Sequence, residues 1–417
     1  MLCNAPSYSG PFGLFDSVRV WSWSNPGILE YNPAMNINPD VQDCAPAPIA
    51  EAWSWVDNPD DPDLIDVCQA VPSYLPHPDM LEFLADNIRR GQAATYTDIQ
   101  GILPLRQELS RDLKERYEAS IEPQNIIITA GCNQGFCTAI DTLCQTGDNV
   151  IVPLPCYFNH EMWLTIRGIT PKWLEFNDTT AVPDPGQIDD LVDNNTRAIV
   201  LVSPNNPTGA AYSDETLNQF FEVAKKHDLP LVVDETYRDF MDTSSTPHNL
   251  FQRSDWQGTF IHLYSFSKAF SLTGFRVGAI VAGDRFIEQA SKIQDCVAIC
   301  APHVGQIAAQ FGLENLKAWR NQKGTEMMKR ASAIKQAFEA PGLGYKLISA
   351  GAYFAYIKHP FDATSRSVAE RLAREFKIVC LPGIYFGKGQ DAYLRFAFAN
   401  VKENMFPELV KRLKASQ

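Results

Sequence analysis

The chain has little positive charge to spare. It carries 36 Lys and Arg against 49 Asp and Glu in 417 residues, a formal net charge of -13. No broad basic surface is available for a phosphate backbone, so electrostatics disfavour nucleic acid or an anionic membrane as partner. Long apolar runs are also missing. Stretches such as Ala198-Ile-Val-Leu-Val202 and Leu229-Pro-Leu-Val-Val233 are strand-sized, far short of the roughly 18 to 20 residues that cross a bilayer. The first residues, Met1-Leu-Cys-Asn-Ala-Pro, show no basic segment leading into an apolar one and do not read as a secretory signal. The expected location is the cytosol. The 10 cysteines include no Cys-x-x-Cys pair and the 7 histidines no His-x-x-x-His, which predicts free thiols and no metal. A Gly-x-Gly-x-x-Gly dinucleotide fingerprint, an internal repeat and a low-complexity tract are likewise absent.

What is present is globular: 45% hydrophobic and 20% charged residues, enough chain for one large core or two ordinary domains. From about residue 90 to 310 short β-rich runs alternate with helical periodicity. The runs are Asn125 to Thr129, Asn149 to Pro153, Ala198 to Ser203, Leu229 to Asp234 and Thr259 to Ser265. The clearest helix starts at Ser213 as N-cap, places Leu217, Phe220, Phe221 and Ala224 on one face and ends near Lys225-Lys226-His227. Continuous apolar strands separated by helices predict an α/β fold with a mostly parallel sheet covered on both faces. Residues 1–48, rich in Pro, Asn, Ser and Trp, read as an extended arm. Trp21, Trp23, Trp53 and Trp55 are too apolar to leave in water, so the arm is expected to pack on its own domain or a second subunit. Residues 315–417 read as helices around short strands. The expected division is a large domain at 90–314 and a smaller α+β domain from 49–89 and 315–417.

Ligands of open parallel sheets bind beyond the carboxyl ends of the strands, and the chemistry-bearing residues fall there. After Thr129 comes Ala130-Gly-Cys-Asn-Gln-Gly135, small enough to bring the amides of a helix start to a phosphate. After Val202 comes Ser203-Pro-Asn-Asn-Pro-Thr-Gly209, whose prolines hold Asn206 so that its amide can donate to a ring oxygen. After Val233 comes Asp234-Glu-Thr-Tyr237. A carboxylate there is either a helix cap or the partner of a pyridine nitrogen. After Tyr264 comes Ser265-Phe-Ser-Lys-Ala-Phe-Ser-Leu-Thr-Gly-Phe-Arg-Val-Gly278, an amine beside hydroxyls with a guanidinium eight residues on. A lysine can form a Schiff base with an aldehyde, and hydroxyls with arginine suit a phosphate dianion. Together these describe a pocket for pyridoxal phosphate.

The motifs in this order resemble the class I/II aminotransferases, pyridoxal phosphate enzymes of fold type I, over roughly residues 60 to 417. The resemblance implies a seven-stranded-type, mostly parallel sheet flanked by helices. It makes Lys268 the cofactor-bearing lysine and the acid/base that moves the Cα proton, with Asp234 on the pyridinium and Asn206 and Tyr237 on the phenolate oxygen. Ser265, Ser267, Arg276, the turn at Gly131 and the amides of Cys132 and Asn133 hold the phosphate. Tyr157, in Val152-Pro-Leu-Pro-Cys-Tyr157, stacks on the ring. Tyr96, in Tyr96-Thr-Asp-Ile-Gln-Gly101 with Leu105-Arg106, resembles the element that reaches a neighbouring subunit's phosphate, which implies a homodimer with shared sites. Arg395, in Tyr393-Leu-Arg395-Phe-Ala-Phe-Ala, forks onto the substrate α-carboxylate. Two departures stand out. Where relatives commonly show Gly-x-Gly-x-Pro, this chain has Cys68-Gln-Ala-Val-Pro72, leaving the Ala70 amide for the carboxylate. His160 stands where tyrosine is frequent, either touching substrate or satisfied elsewhere. The implied reaction is transfer of an amino group from an L-amino acid to a 2-oxo acid, 2-oxoglutarate being the family's common acceptor, through a pyridoxamine half-reaction. A lyase on the same fold is the alternative. An aminotransferase-like regulator is disfavoured, because residues 1–48 are too short and too poor in basic residues for a DNA-binding module.

Overall fold

The computed structural model describes residues 35–241 and 246–417; Trp21 and Trp23 lie outside them. Residues 38–417 form one compact unit. Thirteen strands occur among the described residues: Ile65–Asp66 (β1), Ile126–Thr129 (β2), Asn149–Pro153 (β3), Thr170–Leu174 (β4), Thr196–Val202 (β5), Leu231–Asp234 (β6), Phe260–Ser265 (β7), Gly278–Val281 (β8), Lys346–Gly351 (β9), Phe354–Lys358 (β10), Ile378–Val379 (β11), Leu381–Pro382 (β12) and Tyr393–Ala397 (β13).

Seven of them form the central sheet in the order β2-β8-β7-β6-β5-β3-β4. β8 runs antiparallel to both neighbours and every other pairing is parallel. The strands are apolar at successive positions because both faces are covered, and the alternation of the pleat sends neighbours to different cores. Ile126, Ile128, Ile199, Leu201, Leu231 and Val233 pack with Leu105, Leu109, Leu217 and Phe220 on one face. Ile127, Val150, Val200, Val232 and Leu263 pack with Phe136, Ile140 and Ile287 on the other. The helix expected after Ser213 spans Asp214–Lys226, and the Ser213 hydroxyl accepts from the Thr216 amide at 3.1 Å.

A four-stranded antiparallel sheet in the order β12-β13-β10-β9 and the parallel pair β1-β11 lie apart from the central sheet. Ala52, Trp55, Ile65, Val67 and Cys68 share one apolar cluster with Ile357, Leu372, Val379 and Leu394. Met80 and Leu84 instead join the core of the central sheet. The Val67 carbonyl accepts from the Ala397 amide at 2.7 Å, which brings the segment at Cys68 beside Arg395. All nine cysteines among the described residues are free, and no group of His, Cys, Asp and Glu among them is arranged to hold a metal ion. No helix among them is long and apolar enough to cross a membrane.

Candidate active site

Register places the carboxyl ends of the parallel strands on one edge. Asp234 pairs with Val202 and Leu263, and Gly278 with both Thr129 and Ser265. The loops leaving that edge enclose a cavity of about 330 Å³, within the size range of small-molecule sites. Cys132, Asn133, Tyr157, Asn206, Asp234, Tyr237, Ser265, Ser267, Lys268, Arg276, Ala70 and Arg395 all line it. Tyr96 does not: it is 77% exposed on the outer surface.

Lys268 follows the strand end in the single helical turn Phe266–Ala269. Its Nζ lies inside the cavity and donates to the Ala70 carbonyl at 2.5 Å. Burial, reinforced by Arg276 and Arg395, lowers its pKa to about 8, so the amine is mostly charged at pH 7 but gives up its proton far more readily than an exposed lysine. Asp234 is 5% exposed, with Oδ1 accepting from the Thr236 amide at 2.9 Å. Burial pushes its carboxyl above the ordinary range, and a cation set against it restores the carboxylate. From the opposite face the strand end is anchored by Glu235, which accepts from the Tyr117 hydroxyl at 2.6 Å and lies 2.9 Å from His262 Nε2.

His160 neither lines the cavity nor is satisfied by hydrogen bonding. It is 1% exposed and stacked on Phe136 at 3.8 Å, and both ring nitrogens lack a hydrogen-bond partner. Nε2 lies 3.7 Å from Asp234 Oδ2, and burial lowers the ring pKa to about 3. It is a neutral ring packed behind the carboxylate, outside the cavity lining.

The loop after β5 is held by its own polar groups: Asn205 Oδ1 accepts from the amide and hydroxyl of Thr208 at 3.2 and 3.0 Å. Gly209, at φ +72°, is required there, since a Cβ would come within 2.5 Å of the Phe354 carbonyl and the Gly351 backbone. Asn206 Oδ1 accepts from Arg395 Nη1 at 3.3 Å, so its amide nitrogen is left to donate elsewhere. Tyr237 is buried against Tyr353 and Phe354. Tyr157, whose hydroxyl burial pushes up to about 12, flanks the cavity.

At the other end the helix Cys132–Leu143 begins with amides that have no intrahelical partner. Gly131 adopts φ +82°, and a Cβ there would overlap the Arg276 guanidinium, so glycine is what lets arginine and helix start share one concavity. Among the described residues Arg276 donates only to backbone carbonyls, Thr273 at 2.9 Å and Ala130 at 3.3 Å. The Ser265 hydroxyl accepts from the Ser267 amide at 3.2 Å. Hydroxyls, free amides and an arginine without a carboxylate partner converge, which is what an anion binds.

The sequence model of the family described as aminotransferase class I and II matches residues 62–413. The chain belongs to that family. It is 30% identical over 331 residues to the putative aminotransferase YugH of Bacillus subtilis (strain 168), covering 76% of this chain and 82% of that protein. It is 29% identical over 328 residues to an aspartate aminotransferase of Pyrococcus horikoshii, covering 77% and 82%. Among solved structures, Thermus thermophilus aspartate aminotransferase with maleate superposes with a TM-score of 0.82 at 23% identity, covering 92% of this chain and 100% of that one. That likeness shows the fold, an α/β pyridoxal phosphate transferase of fold type I.

Class I and II aminotransferases of this fold depend on pyridoxal phosphate, and the residues of this cavity fit that group. An amine lowered to about 8, a buried carboxylate and an anion cradle line the same cavity. Sequence reading missed Thr236, Thr273 and Asn159 as lining residues. Thr236 is the one with a legible role, because its amide fixes the Asp234 carboxylate.

Proposed function

We propose that this aminotransferase binds pyridoxal phosphate at Lys268 and moves the amino group of an L-amino acid to a 2-oxo acid in two half-reactions. The observation that carries the reading is the convergence of Lys268, Asp234 and Arg395 in one cavity. Bound there, the cofactor supplies an aldehyde and a protonated ring that accepts electrons. Lys268 Nζ would hold the group by its aldehyde and, when free, its amine would take and return the proton at substrate Cα. Asp234 keeps the proton on the pyridine nitrogen. Asn206 and Tyr237 donate to the ring oxygen, and Tyr157 supports the ring face. Ser265, Ser267, Arg276 and the amides of Cys132 and Asn133 take the phosphate. Arg395 and the Ala70 amide orient the substrate by its α-carboxylate, and retaining that carboxylate favours proton movement at Cα over its loss.

Adding L-amino acids singly to the cofactor-loaded protein, without oxo acid, tests this. Conversion of the resting absorbance to that of the pyridoxamine form, without ammonia, is expected. Ammonia with the resting absorbance restored would make the enzyme a lyase.

A homodimer with shared sites is part of the proposal. It is supported by Tyr96, Leu103 and Val297, large apolar side chains 77%, 46% and 62% exposed. Arg106, by contrast, is committed to its own chain, donating to the Gly101 and Pro123 carbonyls at 3.1 Å each. Sedimentation should give twice the chain mass; the mass of one chain would remove the shared-site element.

A further inference from the structure

Lys268 lies in a helical turn of four residues, Phe266–Ala269, too short to satisfy its own last carbonyls. The Phe266 carbonyl accepts from the Phe270 amide at 3.2 Å and the Ser267 carbonyl from the Leu272 amide at 3.0 Å. The Lys268 carbonyl has no backbone donor among the described residues. Its partner is a side chain 194 residues away: the Tyr74 hydroxyl donates to it at 2.9 Å. Burial raises the Tyr74 pKa, so the phenol keeps the proton that this bond needs.

The bond is answered in the opposite direction. Ser271 Oγ donates to the Tyr74 carbonyl at 2.5 Å, and Ser271 holds φ +57°, a conformation that a residue other than glycine keeps only where its surroundings fix it. The segment that supplies Tyr74 is fastened at its other points too. The Cys68 carbonyl accepts from Arg395 Nη2 and the Ser73 hydroxyl from Arg330 Nη1 at 2.8 Å. Between them the Ala70 carbonyl accepts from Lys268 Nζ, which puts the amine within hydrogen-bond reach of the residue proposed for the α-carboxylate. Residues 68–74 therefore run from the carboxylate-binding arginine, past Ala70, to the turn that carries the amine.

We propose that Tyr74 is a positioning residue for proton transfer: by fastening the Lys268 turn to the segment that carries Ala70 and braces Arg395, it fixes the amine relative to the substrate α-carboxylate. This rests on the transaminase reading and deepens it. A substrate anchored by its carboxylate presents Cα at a set distance from that anchor, and a proton moves only when the amine stands within about 3 Å of it. Misplacement by an ångström can cost on the order of a hundredfold in rate. Tyr74 is not among the residues lining the cavity, so its loss should act on the rate at saturation and leave affinities in place.

Tyr74→Phe removes one oxygen and tests this in the cofactor-loaded protein, by single-turnover half-reactions with an amino acid that converts the wild-type absorbance. Their rate constants do not depend on how much of the preparation is folded. The limiting rate should fall about tenfold or more, with the half-saturating amino acid concentration and the calorimetric affinity for glutarate, a non-reacting acid, both within about twofold of wild type. Deuterium at Cα should slow the variant at least as much as it slows wild type. Ser271→Ala, which cuts the reciprocal bond and keeps the tyrosine, should show the same pattern with a smaller loss and decides the matter if Tyr74→Phe does not fold. A limiting rate within about twofold of wild type, a loss that appears as weaker binding of amino acid and glutarate, or a reduced isotope effect would each overturn the assignment. If wild type converts but the variants match it, only the role of Tyr74 is lost; if no amino acid converts wild type, the transaminase reading falls and the positioning role with it.

Discussion

Replacing Lys268 by alanine should abolish turnover while relieving a stability cost in the cofactor-free protein. The loss of rate combines the missing covalent attachment with the missing proton carrier at Cα, together about 10⁴-fold or more. The cofactor should remain bound through Arg276, the two serines and Asp234, as a non-covalent complex whose visible absorbance survives brief gel filtration and responds slowly to amino acids. Activity near wild type would sink the assignment.

The stability effect follows from the same burial. In the folded chain the Lys268 pKa is about 8, against an ordinary 10.5. Below about pH 8 the amine is charged in both states, and the folded state bears the full cost of holding that charge out of water. Between the two values the unfolded chain binds more protons than the folded one, so wild-type stability rises with pH. Above both the amine is neutral in both states and this contribution vanishes. The advantage of Lys268→Ala should thus be largest near neutrality and shrink by about 2–3 kcal/mol by pH 11. Urea unfolding of both cofactor-free proteins across that range measures it. A difference independent of pH would mean the amine is solvated.

The central strands were legible because burial on both faces leaves an unbroken apolar run. β4, Thr170–Leu174, was not: it is an edge strand with a proline and a lysine and most of its residues are partly exposed, so its sequence carries no such run. Nor does the short apolar strand Gly278–Val281 carry its direction, although its reversal is what brings Arg276 back to the edge where Gly131 waits. Lys268, Asp234 and Asn206 could be read because each immediately follows a recognisable strand, and strand ends converge in a parallel sheet. His160 could not be assigned that way. Whether a histidine stacks behind a carboxylate depends on neighbours from other elements, here Phe136 and Asp234, and has no local pattern.

Arg395→Ala should lower kcat/KM for every amino acid alike, by about 10³-fold. The side chain is 2% exposed, with the faces of Phe354 and Phe386 at 5.2 and 5.3 Å from the guanidinium carbon. No carboxylate pairs with it among the described ion pairs; it donates only to Asn206 Oδ1 and the Cys68 carbonyl, and Nε has no partner. Burial lowers its pKa, yet an arginine remains charged. A charge kept in a dry pocket with only neutral partners gains most when an anion arrives, and the α-carboxylate is the anion common to every substrate. Arg395→Lys should recover only a minor part, since an ammonium cannot reproduce the planar fork or the packing between the two rings. The variants should keep wild-type cofactor absorbance, because Arg395 is placed on the substrate rather than the cofactor. A deficit confined to one amino acid in a panel of half-reactions would instead place Arg395 on the side chain.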